Sequence, residues 1–435
     1  MVGGGFGGLN AAMSLRSTPV RVTLVDRTNH HLFQPLLYQV ATAGLSPADI
    51  AVPIRSVLSA QKNARVLLAE AKGVDLQEKR LLLDKGEVAY DYLVLAVGAT
   101  HNYFGHDDWA SHALGLKTLD EALSIRERML LAFEAAERST DPEARKRLLT
   151  FAVIGGGPTG VEMAGAFSEL ARHVLARDFR AIDPSATRVV LVEAGPRILS
   201  AFPEALSDRA EAQLATLGVE VHKGDPVAHI DESGIAFKDG TRLPAATVVW
   251  AAGIRGTSFA KNLGVDLDRG GRVVVGTDCS IPGHPEVFAI GDMAAMRDVH
   301  GVDVPGLCPA AIQQGNYVAA TIRADLSGKP RKPFEYLDKG TMATVGRRRA
   351  IAKVKSLELS GMLAWLAWMA IHVFFLIGFR NRFVVMFNWG WQYFTWKRGA
   401  RLITHTNRAE QTLLLAAAPD GPIPSARRIS MPTGD

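Results

Sequence analysis

Cysteine is scarce in this chain: Cys279 and Cys308 are the two among 435 residues, and they form neither a C-x-x-C pair nor any paired spacing. That argues against a disulfide-stapled scaffold, a zinc site and a redox-active dithiol, and it suits the cytoplasm. An excess of one charge is also lacking. The 49 Lys/Arg face 44 Asp/Glu for a net charge of +5, which over this length does not suggest a nucleic-acid partner. The twelve histidines show no metal-ligand spacing, so no metal site is expected. His30-His31 fall in a loop after Asp26, where structural or cofactor-lining roles suit them. No secretory signal precedes the first glycine cluster, which argues against export.

Glycine, by contrast, is plentiful, and two clusters of it share one spacing. Gly3-Gly4-Gly5-Phe6-Gly7-Gly8 and Gly155-Gly156-Gly157-Pro158-Thr159-Gly160 both read G-x-G-x-x-G. In this pattern one glycine makes a tight turn, one lets backbone reach a pyrophosphate, and one lets a helix pack on a strand. One copy alone is a weak signal, so the context of each matters. Leu148 to Ile154 reads as a buried parallel strand and Val161 to Leu175 as a helix. The next strand, Arg188 to Glu193, ends on an acid placed to accept both hydroxyls of an adenosine ribose. Such an acid repels a 2′-phosphate, so NADH is expected over NADPH. Its distance from the glycines exceeds the usual figure of about 20 residues because a long helix and a Pro184-containing loop intervene. In the first copy Leu9 to Leu15 continues as a helix, and Asp26 closes Val20 to Val25 at the conventional distance. Only Met1 and Val2 precede Gly3, so the strand that should feed this turn is missing; the expectation is a natural start further upstream. Two copies in context imply two bound dinucleotides.

Length and a 48% hydrophobic content provide for more than one core. Gly361 to Phe379 runs nineteen residues without a formal charge, enough for about 28 Å of helix. Basic residues flank it: Arg347-Arg348-Arg349, Lys353 and Lys355 upstream, and eight Lys/Arg against three Asp/Glu from Arg380 onward. Trp365, Trp368, Trp389, Trp391 and Trp396, five of the seven tryptophans, fall in this run or just after it. Tryptophan concentrates where an apolar body meets polar headgroups. The expectation is a C-terminal membrane anchor that either crosses the bilayer or lies along it, followed by a shorter interfacial stretch, Phe383 to Trp396.

Together these residues carry a resemblance. The chain resembles the type II NADH:quinone oxidoreductases, single-subunit, non-proton-pumping NADH dehydrogenases of the two-dinucleotide flavoprotein superfamily. The likeness rests on Gly3 to Leu9, His31 to Gly44, Asp91 to Thr100, Gly155 to Gly165, Trp250 to Arg255 and Val287 to Asp292. It implies an α/β fold of two Rossmann-like domains with C-terminal membrane-associated helices, the NADH domain being inserted in the FAD domain. The expected division is 1–115 and 276–335 for FAD, 116–275 for NADH, 336–415 for membrane anchoring, and 416–435 as a disordered tail. FAD is expected against Gly3, Gly5, Phe6, Gly8, Asp26 and Arg27, with Gly98-Ala99-Thr100 closing over the cofactor, Gly253 nearby, and Gly291-Asp292 at the ribityl chain. NADH is expected against Gly155, Gly157, Pro158, Thr159, Gly160 and Glu193. Relatives carry A-Q-x-A-x-Q-x-G at the quinone site, whereas this chain reads Cys308-Pro309-Ala310-Ala311-Ile312-Gln313-Gln314-Gly315, with Pro309 in place of the first glutamine.

The reaction implied is hydride transfer from NADH to FAD and electron transfer to a membrane quinone. Glu162, Gln313 and Gln314 are the candidate catalytic residues, Glu162 as an acid in the first turn of the second fingerprint helix. The expected location is the cytoplasmic face of a bacterial inner membrane, and a homodimer would set two anchors on one membrane face. Two alternatives stand beside this reading: a related flavoprotein reductase with another acceptor, and a tethered sensor that binds FAD and NADH without fast turnover.

Overall fold

The computed structural model describes residues 1–403; the expected tail at 416–435 and the end of the 336–415 region lie outside the described residues. The described residues pack as two units, one of residues 1–32, 51–102 and 254–339, the other of 33–50, 103–253 and 340–403. These divisions fall earlier in the chain than the 115/116 and 275/276 boundaries expected from sequence. They also assign the His31 to Gly44 motif mostly to the second unit.

The first unit is built on a parallel sheet with the first fingerprint at its centre. Strand Val22–Asp26 pairs in parallel with Ala64–Leu68, and Leu93–Leu95 pairs in parallel with His284–Ala289. The strand expected to be missing between them is reduced to a stub. Val2 bridges Val25 on one side and Leu95 on the other. Its N–H donates to Val94 O at 2.8 Å, and the Gly3 N–H donates to Val25 O at 2.8 Å. Helix Phe6–Ser14 follows and packs against helix Cys308–Leu326.

The second unit holds a five-stranded parallel sheet in the order Ala113–Gly115, Thr247–Trp250, Thr150–Ile154, Arg188–Glu193, Val219–Lys223. Its central strands are near-continuous apolar runs because both faces are covered, one by helices and the other by the antiparallel strands Val227–Asp231, Gly234–Phe237 and Arg242–Pro244. Thr150–Ile154, at the point where strand order reverses, delivers the second fingerprint to helix Pro158–Glu169. An antiparallel sheet follows: Thr341–Gly346, Arg349–Val354 and Leu357–Ser360.

This sheet packs on the fingerprint helix at very close range. A Cβ on Gly165 would sit 1.8 Å from the Val345 carbonyl oxygen, so only glycine fits there. Two acids two turns apart on the helix cap the strand: Glu162 accepts from the Thr344 N–H at 3.3 Å and Glu169 from the Arg347 N–H at 2.5 Å.

The uncharged run does not form one long helix. It ends as helix Met362–Phe375, breaks at Leu376 and at Gly378 (φ 92°), and resumes as Phe379–Thr395. At about 1.5 Å per residue neither piece reaches the roughly 30 Å of a hydrocarbon core. Among the described residues no helix is long and apolar enough to cross a membrane. That removes the spanning form of the expected anchor within this run.

Candidate functional site

Each fingerprint folds into a cradle of the same form. Gly3 and Gly155 turn the chain at φ 98° and 109°, conformations that a side chain would strain. A Cβ on Gly8 would lie 2.0 Å from the Gly3 carbonyl oxygen, and one on Gly160 would lie 1.8 Å from that of Gly155. Gly5 and Gly157, each the residue before its helix, face open space, with nothing within 4 Å of where a Cβ would stand. Helix N-termini with free backbone N–H groups and no side chain in the way suit a pyrophosphate.

The two acids answer each other in the same way. Asp26 Oδ2 accepts from the Gly4 N–H at 2.5 Å, while its Oδ1 accepts from the Thr28 N–H and hydroxyl at 2.6 and 2.8 Å. Glu193 Oε2 accepts from the Gly156 N–H at 2.6 Å and Oε1 from the Gly195 N–H at 2.7 Å. These bonds aim each carboxylate at its cradle and leave lone pairs for ribose hydroxyls. Beside the first cradle, buried His31 contacts Gly4 O through Nδ1 at 2.9 Å and stands edge-on to Phe6. Burial lowers its pKa, and its Nε2 has no partner. An orphaned buried acceptor beside an empty-faced glycine loop is what a ligand hydroxyl would satisfy. Both cradles therefore fit dinucleotides.

The other expected cofactor residues in the first unit sit on turns and short strands. Gly98 turns at φ 74°, and Ala99–His101 pairs with Ile254–Gly256, setting Thr100 opposite Arg255. Gly291 turns at φ 71° and Asp292 follows within a short 3-10 turn. Gln314, 2% exposed, accepts from the Gly291 N–H at 2.7 Å. Gln313 clasps both the N–H and the carbonyl of Leu337 at 3.0 Å. Both amides are thus engaged with backbone. Arg27 is exposed. Cys279 is buried, its thiol pushed up by burial, and it forms no disulfide with Cys308.

In the second unit a cavity opens between the second fingerprint helix, residues 38–44, strand Thr341–Gly346 and the two C-terminal helices. Glu162 lines it. With Pro158 as the first helical residue, Glu162 sits in the second turn and not the first. Enclosure raises its pKa to about 8 despite the opposing pull of the Thr344 N–H and of the Trp368 indole. The Trp368 ring, 2% exposed, lines the same cavity, and its Nε1 makes no hydrogen bond of good geometry. Burial also raises the Tyr38 phenol well above its usual value.

The tryptophans read as interfacial mostly serve this cavity: Trp365, Trp368, Trp389 and Trp396 line it, while Trp391 alone of the five is exposed. Residues 38–49 hold the C-terminal helices in place. Gln39 accepts from the Trp389 indole at 2.8 Å, Gly44 O from Gln392 at 2.5 Å, and the Ala48 and Asp49 carbonyls from Asn381 at 3.0 Å. Arg398 closes the end, donating to Thr42 O at 2.9 Å and pairing with Glu169 at 3.5 Å. Sequence reasoning found Glu162 but not Tyr38, Gln39 or Gln392. The conspicuous His31 to Gly44 run was the available signal.

Two Rossmann-like cradles with two ribose-directed acids and no paired cysteines define a flavin- and nicotinamide-dependent oxidoreductase that works without a dithiol. The comparisons agree. A family described as pyridine nucleotide-disulphide oxidoreductase matches residues 1–315, and one described as the NDH2 C-terminal domain matches residues 339–396. Type II NADH:quinone oxidoreductase Ndh of Mycobacterium tuberculosis is 46% identical over 98% of this chain and 96% of its own, and NdhA of the same organism is 44% identical over 93% and 88%. The structure of NDH2 from Plasmodium falciparum in complex with NADH superposes with a TM-score of 0.85 at 19% identity, over 92% of this chain and 98% of that one. The chain belongs to the type II NADH:quinone oxidoreductase family.

Proposed function

We propose that this enzyme oxidises NADH and reduces a membrane quinone without pumping protons, resting on the cytoplasmic face of a membrane through its two C-terminal helices. When bound, FAD takes the hydride from NADH and supplies two electrons to the quinone. The first cradle, with Gly3, Gly5, Gly8, Asp26 and His31, holds FAD. The second, with Gly155, Gly157, Gly160 and Glu193, holds NADH and disfavours a 2′-phosphate. Gln314 fixes the Gly291-Asp292 turn, so it acts as a positioning residue at the flavin.

The observation that carries the quinone site is the cavity with Glu162 and Trp368. At neutral pH the carboxyl of Glu162 is largely protonated, and the Trp368 N–H beside it makes no hydrogen bond of good geometry. Two donors among aromatic rings suit a quinone carbonyl, and Glu162 can surrender a proton to the reduced ring. The helices over this cavity present an apolar outer face, with Leu363, Phe374, Phe379, Phe383, Phe387 and Phe394 exposed. So large a patch calls for a lipid surface or another copy of the chain. A homodimer with both faces on one membrane is the further expectation.

The test is an anaerobic visible spectrum of detergent-purified protein. An oxidised-flavin band that bleaches on NADH and returns on a soluble ubiquinone analogue supports the reading. Bleaching without return would point to another acceptor.

A further inference from the structure

The second unit carries a second pocket beside the cavity, sharing Glu169, Arg347 and Trp396 with it and adding arginines that the cavity does not use. The hairpin between Thr341–Gly346 and Arg349–Val354 has Arg347 and Arg348 at its tip, with Arg349 beginning the return strand. Arg348 adopts φ 63°, a left-handed turn position where asparagine or glycine is the ordinary choice. Trp396 ends the last helix at φ 59°, again left-handed and again not glycine. Both outliers lie at one place. Arg172, His173, Arg347, Arg348, Arg349 and Trp396 line a single pocket, and Trp396 packs on His173 at 4.2 Å between ring centroids. Bulky residues held in strained backbone at one spot point to a function.

The charge there is uncompensated. Among the described residues none of these four guanidiniums forms an ion pair, and the one acid in the pocket, Glu169, is engaged by Arg398. Aromatic rings and backbone orient the arginines instead. Arg347 lies over the Tyr393 and Trp396 rings at 4.2 and 4.4 Å, and Arg348 donates to the Tyr393 hydroxyl through Nε at 2.6 Å. Arg172 is held by Ser168, Thr187 O and Gly218 O. Each guanidinium has five donors, so several stay available. Planar forks converging on one pocket are the standard recognition chemistry for a phosphate oxyanion. Phe394 and Trp391, exposed on the same helix that ends at Trp396, set the pocket beside the apolar face.

We infer that the Arg172, Arg347, Arg348, Arg349 and His173 pocket binds a phosphate group, presented by the headgroup of an anionic phospholipid. The lipid source rests on the surface-docking reading above. Binding to neutral vesicles tests that reading, whereas the dependence on these arginines tests this one.

The experiment compares full-length protein with an Arg348→Gln/Arg349→Gln variant. A Lys85→Gln/Lys329→Gln variant removes the same charge from exposed positions elsewhere. Flotation is measured with phosphatidylcholine vesicles with and without phosphatidylglycerol, and inorganic phosphate is titrated by calorimetry. The arginine variant should lose at least about tenfold in affinity for the anionic vesicles, with the lysine variant little changed and thermal stability and NADH-driven flavin bleaching kept in both. Arginine-dependent vesicle binding without a phosphate heat assigns the pocket to the lipid headgroup. A phosphate heat lost in the arginine variant, with vesicle binding unchanged, assigns it to free phosphate. Equal losses in both variants, or none in either measurement, overturn the inference.

Discussion

Residues decide two aspects of the chemistry here. Glu193 is held by the Gly156 and Gly195 N–H groups, and on the proposed reading its charge stands where a 2′-phosphate would come. Replacing it with serine should cut the preference for NADH over NADPH by tenfold or more (about 1.4 kcal/mol per factor of ten), read as the ratio of kcat/KM for the two nucleotides. Glu162 behaves in the opposite way to an ordinary acid. Its folded pKa is raised from 4.5 to about 8 by enclosure, so the proton is present below pH 8 and lost as pH rises through it. For stability, the contribution is full below pH 4.5 and is lost between there and about pH 8, because the carboxyl ionises in the unfolded chain while the enclosed one stays protonated. Quinone reduction should therefore fall above about pH 8, and Glu162→Gln should slow it by about 10²-fold while removing that limb of the profile. Unchanged rates in that variant would exclude Glu162 as donor. The two glutamines singled out from sequence have different backbone partners. Gln313 and Gln314 stand next to each other in the motif, yet one braces Leu337 and the other Gly291.

At the scale of elements, the join between the fingerprint helix and the hairpin strand is the critical contact. It needs a glycine, since the Gly165 Cα lies against the Val345 carbonyl, and two acids that cap the strand. Gly165→Ala should destabilise the protein by about 2 kcal/mol or more through overpacking against backbone. A lowered Tm and a loosened cavity, seen as weaker quinone binding, would follow. The C-terminal run, one long helix by composition, is two helices because Gly378 takes a left-handed turn and the chain folds back. The second helix then exposes Phe379 at 86% and Phe394 at 83%. Exchanging Phe379, Phe383, Phe387 and Phe394 for serine should abolish flotation with neutral vesicles while leaving thermal stability nearly unchanged, because little packing is lost at exposed positions. Persistent flotation would place the membrane contact elsewhere.

On the proposed reading, the reaction is divided between two kinds of surface. The cradles depend on backbone turns that sheet pairing holds rigid, whereas the cavity is closed by segments far apart in sequence: residues 38–49, 158–169, 341–347 and 362–398. The half-reactions should therefore respond separately to mutation. Variants of Trp368 or Arg398 should slow reoxidation of the reduced flavin by quinone in stopped flow and leave its reduction by NADH within about twofold, since neither residue touches a cradle. Equal slowing of both phases would show that the C-terminal segment supports the entire fold.

The sequence by itself determined the two dinucleotide cradles, their acids and the presence of an apolar C-terminal module. Those features are local: a glycine spacing encodes a turn, and an apolar run with an acid at its end encodes a buried strand. What closes the cavity was decided only in three dimensions. Tyr38, Gln39 and Gln392 look like ordinary core or surface residues in one dimension, and the tryptophans looked like headgroup anchors until most of their rings were found facing the cavity. The engagement of Gln313 and Gln314, the stub pairing of Val2 and the break at Gly378 likewise follow from tertiary contacts. Such contacts depend on which distant backbone groups lack partners, and no local spacing records that.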